Sequence, residues 1–231
     1  MAVRRFLAYD LVSRSRIHRR AGARQLGSSA CGWIVPADGP RTGEVCYCFG
    51  AGEDISFDIA LHRECGCTVH TFDPTPRAIA HYQSLPQADR EAVTFHPVGI
   101  WTEDRTMQFF APVEGNHVSH SLVLNQSTKV GFSAECLTFP TLQQRVGGAQ
   151  PALVKMDIEG AEMQVLEHLL ATATPRILLV EFDELNPLTS SKNWQRVRSV
   201  INGIKARGYR IFEIDRLNYS FERIAEAPIA G

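Results

Sequence analysis

Four carboxylates in this chain stand where chemistry is commonly done. Asp73, Asp157, Glu181 and Asp183 lie at the ends of short apolar runs, where a strand delivers a side chain to the carboxyl edge of a sheet and open α/β folds bind their ligands. A carboxylate there can accept hydrogen bonds from sugar hydroxyls, take up a proton as a general base, or ligate a hard cation. A further candidate is Phe49-Gly50-Ala51-Gly52-Glu53-Asp54. Its glycines allow a tight turn and let a ligand approach the backbone. A dinucleotide fingerprint wants a third glycine where this chain has Ile55. Glu53 and Asp54 would repel a pyrophosphate at a helix N-terminus but tolerate a cationic ligand. The run His117-Val118-Ser119-His120-Ser121 adds His120 as a candidate base or substrate contact. Each feature also has a plainer reading. The glycine pair can be a structural turn, Asp73 can cap the helix that opens near Pro76, and Glu162 can serve the dipole of its own helix. The acids at 181–184 can be a solvated loop, and His120 the polar edge of a hairpin.

These residues need a scaffold, and strand and helix patterns alternate from residue 44 onward. Residues 44–49, 67–72 and 93–98 read as strands, with helical periodicity at 55–64 and 76–85 between them. The rhythm then breaks. Residues 106–111 and 117–122 predict an inserted hairpin turning at Gly115-Asn116. Residues 135–139 predict another short strand, and Pro140 opens a short helix. Residues 152–156 and 176–182 predict central strands, each followed by a helix, the second ending at Gly208. Residues 209–214 and 218–224 close the pattern as a hairpin. The expected fold is α/β: an open, mostly parallel, Rossmann-like sheet with a C-terminal β-hairpin and a hairpin inserted after the third strand. A terminal hairpin on such a sheet is the signature of class I methyltransferases. Their cofactor, S-adenosylmethionine, carries the amine and sulfonium cations that Glu53 and Asp54 would accept.

The chain of 231 residues fits one such domain, and 44% hydrophobic residues are enough for a packed core. No apolar run is long enough to cross a bilayer and no signal-peptide pattern opens the sequence, so a cytoplasmic protein without a membrane partner is expected. The net charge of −1 is uneven, because residues 1–30 hold seven arginines and one acid, Asp10. This divides the chain into a basic N-terminal arm or helix, 1–43, and a cofactor-binding domain, 44–231. The arm is expected to be solvated, to reach the substrate side and to be dispensable for folding. The body is acidic with no matching basic patch, which argues against a nucleic-acid partner. Six cysteines without paired CxxC units point to buried, reduced thiols rather than a zinc site. Cys46 and Cys48 alternate along a strand and so share a face.

Lys155-Met156-Asp157-Ile158-Glu159-Gly160-Ala161-Glu162 resembles the signature of the FkbM family of methyltransferases. FGAGEDISFD (49–58), FDPTPRAI (72–79), HVSHSL (117–122) and VEFDE (180–184) are similar to one subgroup of it. The resemblance covers roughly residues 44–185. It implies S-adenosylmethionine as cofactor and mainly O-methylation of sugars, polyketides and other natural products. By position it implies that Gly50, Gly52 and Asp73 hold the cofactor, with Asp157 near the reaction centre. Phe49, Ala51, Asp54, Pro74 and Gly99 complete the expected cofactor set.

The reaction so implied is in-line attack of a substrate hydroxyl on the sulfonium methyl group, the acceptor being a sugar, nucleoside or other small molecule. An alcohol has a pKa of roughly 16, like water, so its proton needs an acceptor. Asp157, His120 and Glu181 are the candidates. A divalent cation such as Mg2+, held by Asp157 with Glu181 or Asp183, is the alternative. Two rival classes are a nicotinamide-dinucleotide oxidoreductase, disfavoured by the missing third glycine, and a non-catalytic binding protein on the same fold.

Overall fold

A computed structural model describes residues 8–112, 128–158, 160–185 and 191–224. Four short strands precede residue 44. β1 (Tyr9–Asp10) pairs antiparallel with β2 (Ser15–Arg16), and β3 (Arg24–Leu26) with β4 (Trp33–Val35). Then come β5 (Val45–Phe49), helix α1 (Ser56–Cys65), β6 (Thr68–Phe72), α2 (Pro76–Ser84), α3 (Gln87–Arg90) and β7 (Thr94–His96). β8 (Gly99–Ile100), β9 (Arg105–Pro112), β10 (Thr128–Leu137) and α4 (Phe139–Arg145) follow. β11 (Pro151–Met156), α5 (Glu162–Thr172), β12 (Ile177–Glu181), a 3-10 turn (Asp183–Leu185), α6 (Ser191–Ala206), β13 (Tyr209–Asp215) and β14 (Asn218–Arg223) complete the order.

The main sheet has seven strands in the order β13-β14-β12-β11-β5-β6-β7. Neighbours from β7 to β12 are parallel, and β14 runs antiparallel to both β12 and β13. This is the open, mostly parallel α/β sheet with a C-terminal hairpin that the pattern predicts. Its central strands are apolar on both faces because both faces are covered. Tyr47, Phe49, Val154, Leu178 and Val180 point into one core with Leu142 of α4, Val165 and Leu169 of α5, and Val197 and Ile201 of α6. Cys46, Cys48, Leu153 and Leu179 point into the other, against Phe57 and Leu61 of α1. Cys46 and Cys48 do share a face, both fully buried and unbridged. Among the described residues, no helix is long and apolar enough to cross a membrane.

Two expectations change. A hairpin does follow the third strand, but β9 pairs with β10, in register from Thr128↔Pro112 to Cys136↔Arg105. The partner is thus residues 128–137 rather than 117–122, and the short strand expected at 135–139 is the end of this longer one. β8 pairs parallel with the end of β10, making a separate three-stranded sheet. Residues 117–122, including His120, lie outside the described residues.

The N-terminal segment is not a solvated arm over its described length. Val12 and Ile17 enter the first core, and Leu26, Trp33 and Val35 enter the second. Asp10 is fully buried, and its carboxylate accepts from the backbone N–H of Ser13 at 2.8 Å and from the Tyr219 hydroxyl at 3.0 Å. The Arg198 guanidinium donates to the Val12 carbonyl at 2.6 Å. The arginines also meet the acidic body. Arg20 bridges Asp38 at 2.8 Å and Glu222 at 3.4 Å, Arg24 pairs with Glu64, and Arg19 lies 3.9 Å from Glu213. The uneven charge along the sequence is thus drawn together in space.

Trp33, 2% exposed, packs against Phe57 with ring centroids 6.4 Å apart. Trp33→Ala should therefore cost about 3–5 kcal/mol by leaving a cavity, measured as a lower urea midpoint. Deleting residues 1–35 should abolish cooperative unfolding. A truncated chain with an unchanged midpoint would make these strands accessory.

Candidate active site

The site forms at the carboxyl ends of β5, β6, β11 and β12. β5 and β11 approach so closely at their ends that only glycine fits at position 50. Gly50 has φ +84°, and a Cβ there would lie 1.6 Å from the Asp157 carbonyl oxygen. The Asp157 N–H donates to the Phe49 carbonyl at 3.1 Å, and the Gly50 N–H to the Phe72 carbonyl at 2.9 Å. The loop from Gly50 to Gly52 is thereby tied to both neighbouring strands. A Cβ on Gly52 would meet nothing within 4 Å, so that turn faces open space.

Asp73, at the end of β6, braces the same loop. Its Oδ2 accepts from the backbone N–H of Ala51 at 2.8 Å and of Gly52 at 3.0 Å. Its Oδ1 accepts from the Thr75 N–H at 2.8 Å and the Thr75 hydroxyl at 2.6 Å. Asp73 does not cap α2. Thr75 does, accepting from the Ala78 N–H at 3.3 Å. Asp54 is likewise committed, with Oδ1 accepting from the Ser56 N–H at 2.9 Å and Oδ2 from the Ser28 hydroxyl at 2.7 Å. Burial alone would raise its pKa, but the donors on Ser56, Ser28 and Cys31 outweigh burial and lower it.

Lys155 is the residue whose weight the sequence hides. It sits in the apolar strand β11 with its side chain buried. Its ammonium donates to the Gly50 carbonyl, lies 3.2 Å from Asp157 Oδ2, and sits 5.9 Å from the centre of the Trp33 ring. Burial works against the charge, but Asp157 and then Asp58 outweigh it and raise the lysine's pKa. Asp58, on α1 and also buried, accepts from the Thr71 hydroxyl at 2.7 Å. An unexpected charge in an otherwise apolar strand was the only signal of this network in the sequence.

Glu181 ends the neighbouring strand. Burial first, then the negative charges of Asp157 and Asp183, push its carboxyl well above the usual range, and it hydrogen-bonds Asp157. The expected closeness of these two carboxylates is thus present. A cation does not suit the site, since the Lys155 ammonium, 3.2 Å from Asp157, already supplies the positive charge, and burial beside Asp157 favours the neutral form of Glu181. Among the described residues, no group of three or more His, Cys, Asp or Glu side chains converges as metal ligands would. The expectation of Mg2+ on Asp157 with Glu181 or Asp183 is revised accordingly.

Glu162 does not simply serve the α5 dipole. Fully buried, it folds back to accept from the N–H of Ile158 at 2.9 Å and of Gly160 at 3.0 Å, fixing the turn after Asp157.

These residues surround a cavity of about 400 Å³. Phe49, Gly50, Ala51, Gly52, Asp54, Asp73, Pro74 and Gly99 line it, as do Asp157 and Glu181. At Gly99 packing supplies a reason for glycine, because a Cβ would come 2.7 Å from Cys136 Sγ of β10. Sequence reasoning did not single out Ala30, Cys31 and Phe109, which also line the cavity. His120 lies outside the described residues.

The FkbM methyltransferase domain matches residues 44–211. The chain belongs to this family. It is thus an S-adenosylmethionine-dependent methyltransferase, and its sheet order is that of class I. An FkbM domain explains why a glycine loop, an acid at the end of β6 and a deep cavity occur together, and the residues present fit the cofactor. No curated protein matches the chain significantly. Several solved structures are distantly similar to the chain. The C-terminal domain of precorrin-6Y C5,15-methyltransferase from Rhodobacter capsulatus is 12% identical over 80% of this chain and 83% of that one, with a TM-score of 0.41. Its counterpart from Geobacter metallireducens is 10% identical over 78% and 79%, with a TM-score of 0.43. M. jannaschii TYW2, solved in complex with AdoMet, is 10% identical over 91% and 90%, with a TM-score of 0.37. The class assignment rests on the family match and the strand order rather than on these likenesses.

Three outcomes are expected. Lys155→Met leaves Asp58 and Asp157 facing each other without their cation, at a cost of about 3–5 kcal/mol, seen in urea unfolding. Methyl transfer should survive exhaustive EDTA treatment, whereas a loss that Mg2+ restores would return a metal to the mechanism. The third concerns pH. Burial first, then Asp183 and Glu184, raise Glu162 from its ordinary 4.5 to about 8. The folded state then keeps a proton that the unfolded chain releases, so stability is greatest below about 4.5 and declines as pH climbs towards about 8. Glu162→Gln should flatten that decline in urea midpoints taken across the window.

Proposed function

We propose that this FkbM protein methylates a hydroxyl group on a small-molecule acceptor. The observation that carries the reading is Asp157, held by Lys155 at 3.2 Å and lining the same cavity as the glycine loop and Asp73. A fixed carboxylate beside the transferred methyl suits a reaction whose nucleophile must lose a proton.

S-adenosylmethionine supplies an electrophilic methyl group when bound. Gly50, Gly52 and the backbone around them would form its floor, with Asp73 as acceptor for its ribose hydroxyls. Phe49, Ala51, Asp54, Pro74 and Gly99 would complete the surround. They would hold it so that its methyl group could pass to an acceptor oxygen, the cofactor leaving as a neutral thioether. The hydroxyl proton passes to the Asp157 carboxylate. Lys155 orients that carboxylate, and Glu181 donates a hydrogen bond to it and gives it a path for passing the proton on. Closing the reactants into line is the larger contribution expected of such a cavity. The overall charge of −1 and the pairing of the N-terminal arginines with acids favour a small acceptor over a nucleic acid.

Two measurements test this. In calorimetric titration Asp73→Ala should weaken S-adenosylhomocysteine binding about ten- to 150-fold, as loss of charge-assisted hydrogen bonds worth about 1.5–3 kcal/mol predicts. With methyl-labelled cofactor and matched panels of hydroxyl and amine acceptors, label should enter the hydroxyl compounds. Asp157→Asn should cut that turnover about 10²–10⁴-fold while leaving homocysteine-product affinity in place. Label entering only amines would overturn the assignment of oxygen as nucleophile.

A further inference from the structure

The family domain begins at residue 44, yet part of the cavity wall comes from before it. Ala30 and Cys31 belong to the turn that joins β3 to β4, and that turn is built into place. Leu26 and Trp33, at its two ends, are buried in the core. Gly27 has φ +83°, and a Cβ on it would lie 2.7 Å from the Phe57 nitrogen, so the turn lies directly on the start of α1. Ser28 then makes the joint. Its N–H donates to the Ser56 hydroxyl at 2.8 Å and its own hydroxyl donates to Asp54 at 2.7 Å. That hydroxyl oxygen also accepts from the N–H of Cys31 at 2.9 Å. The Cys31 side chain hydrogen-bonds Asp54 and lies within electrostatic reach of Asp157 and Lys155.

The lining residues fall into two groups by their contacts. Pro74 lies against Gly99 beside Asp73, and Cys31 hydrogen-bonds Asp54 within reach of Lys155 and Asp157. If Asp73 takes the ribose, as the proposed function holds, the amino-acid tail of the cofactor falls beside the second group. There its ammonium group meets the carboxylate of Asp54.

We propose that the turn at residues 27–32 is the wall of the cofactor site that contacts the amino-acid end of S-adenosylmethionine, with Cys31 as the touching residue. This rests on the cofactor reading above. It assigns a binding role to a segment outside the family domain, and it makes Asp54 a fastener of that segment.

The test uses the full chain and N-ethylmaleimide, with mass spectrometry reporting each cysteine. Cys31 is exposed and Cys65 half-buried, so Cys65 serves as the internal reference. S-adenosylhomocysteine at about ten times its Kd should slow Cys31 labelling about ten-fold and leave Cys65 unchanged. 5′-Methylthioadenosine has the same nucleoside and thioether but no amino-acid tail, and at matched occupancy it should leave Cys31 as reactive as in the free protein. Cys31→Trp should raise the Kd for S-adenosylhomocysteine about ten-fold or more and that for methylthioadenosine far less. Titration monitored in parallel separates the two ideas. Binding of S-adenosylhomocysteine without protection of Cys31, or equal protection by both ligands, overturns the proposal and leaves the cofactor reading standing. Failure of S-adenosylhomocysteine to bind overturns both.

Discussion

The site depends on one buried charge. Taking an ammonium group out of water costs several kcal/mol, and an apolar strand tolerates it only when partners surround it. Lys155 finds the Gly50 carbonyl, Asp157, Asp58 and the face of Trp33. Each comes from a different part of the chain: the β5 loop, the end of β11, α1 and β4. The lysine thus holds both the glycine turn and the carboxylate, with all four elements contributing to its surroundings. Replacing the lysine leaves Asp58 and Asp157 without their cation rather than merely losing a contact, so the arrangement is cooperative by construction.

The same logic governs the outer carboxylates. Asp73 spends both oxygens on the backbone around Ala51, Gly52 and Thr75, and Glu162 spends its own on the turn after Asp157. Acids near the cavity therefore hold loops in shape as well as facing a ligand. Orphan N–H groups in tight loops are costly when buried, and a carboxylate accepting two of them is an economical answer.

Much of the fold was legible because the central strands are apolar on both faces and end in acids. Covered parallel sheets impose that pattern, and β11 and β12 show it plainly. The C-terminal hairpin was legible from its spacing. The register of the inserted hairpin was not, because Gly115-Asn116 is a strong local turn signal while the partner of β9 lies further on, in β10. The N-terminal strands were hidden for another reason. They are two or three residues long, too short for periodicity, and exposed arginines surround the few buried positions such as Asp10 and Val12. Lys155 was visible as an anomaly, but its meaning lies in Asp58 and Trp33, which are far away in sequence. Thr75 outcompeted Asp73 as helix cap because Asp73 was already engaged with the loop.

The bond between Asp10 and Tyr219 spans 209 positions of the chain, and Ser220 donates to the Ile34 carbonyl across 186. Both partners on the far side lie in β14, the last strand described. During synthesis the first strands emerge long before the strand that completes their burial exists. A closure of that length has a large entropic cost that only the finished hairpin repays. Until β14 exists, Asp10 and the Ile34 carbonyl lack these partners. A nascent chain stalled before β14 would thus carry the glycine loop, Asp73 and the turn at Cys31 with the N-terminal strands still unsealed on that side.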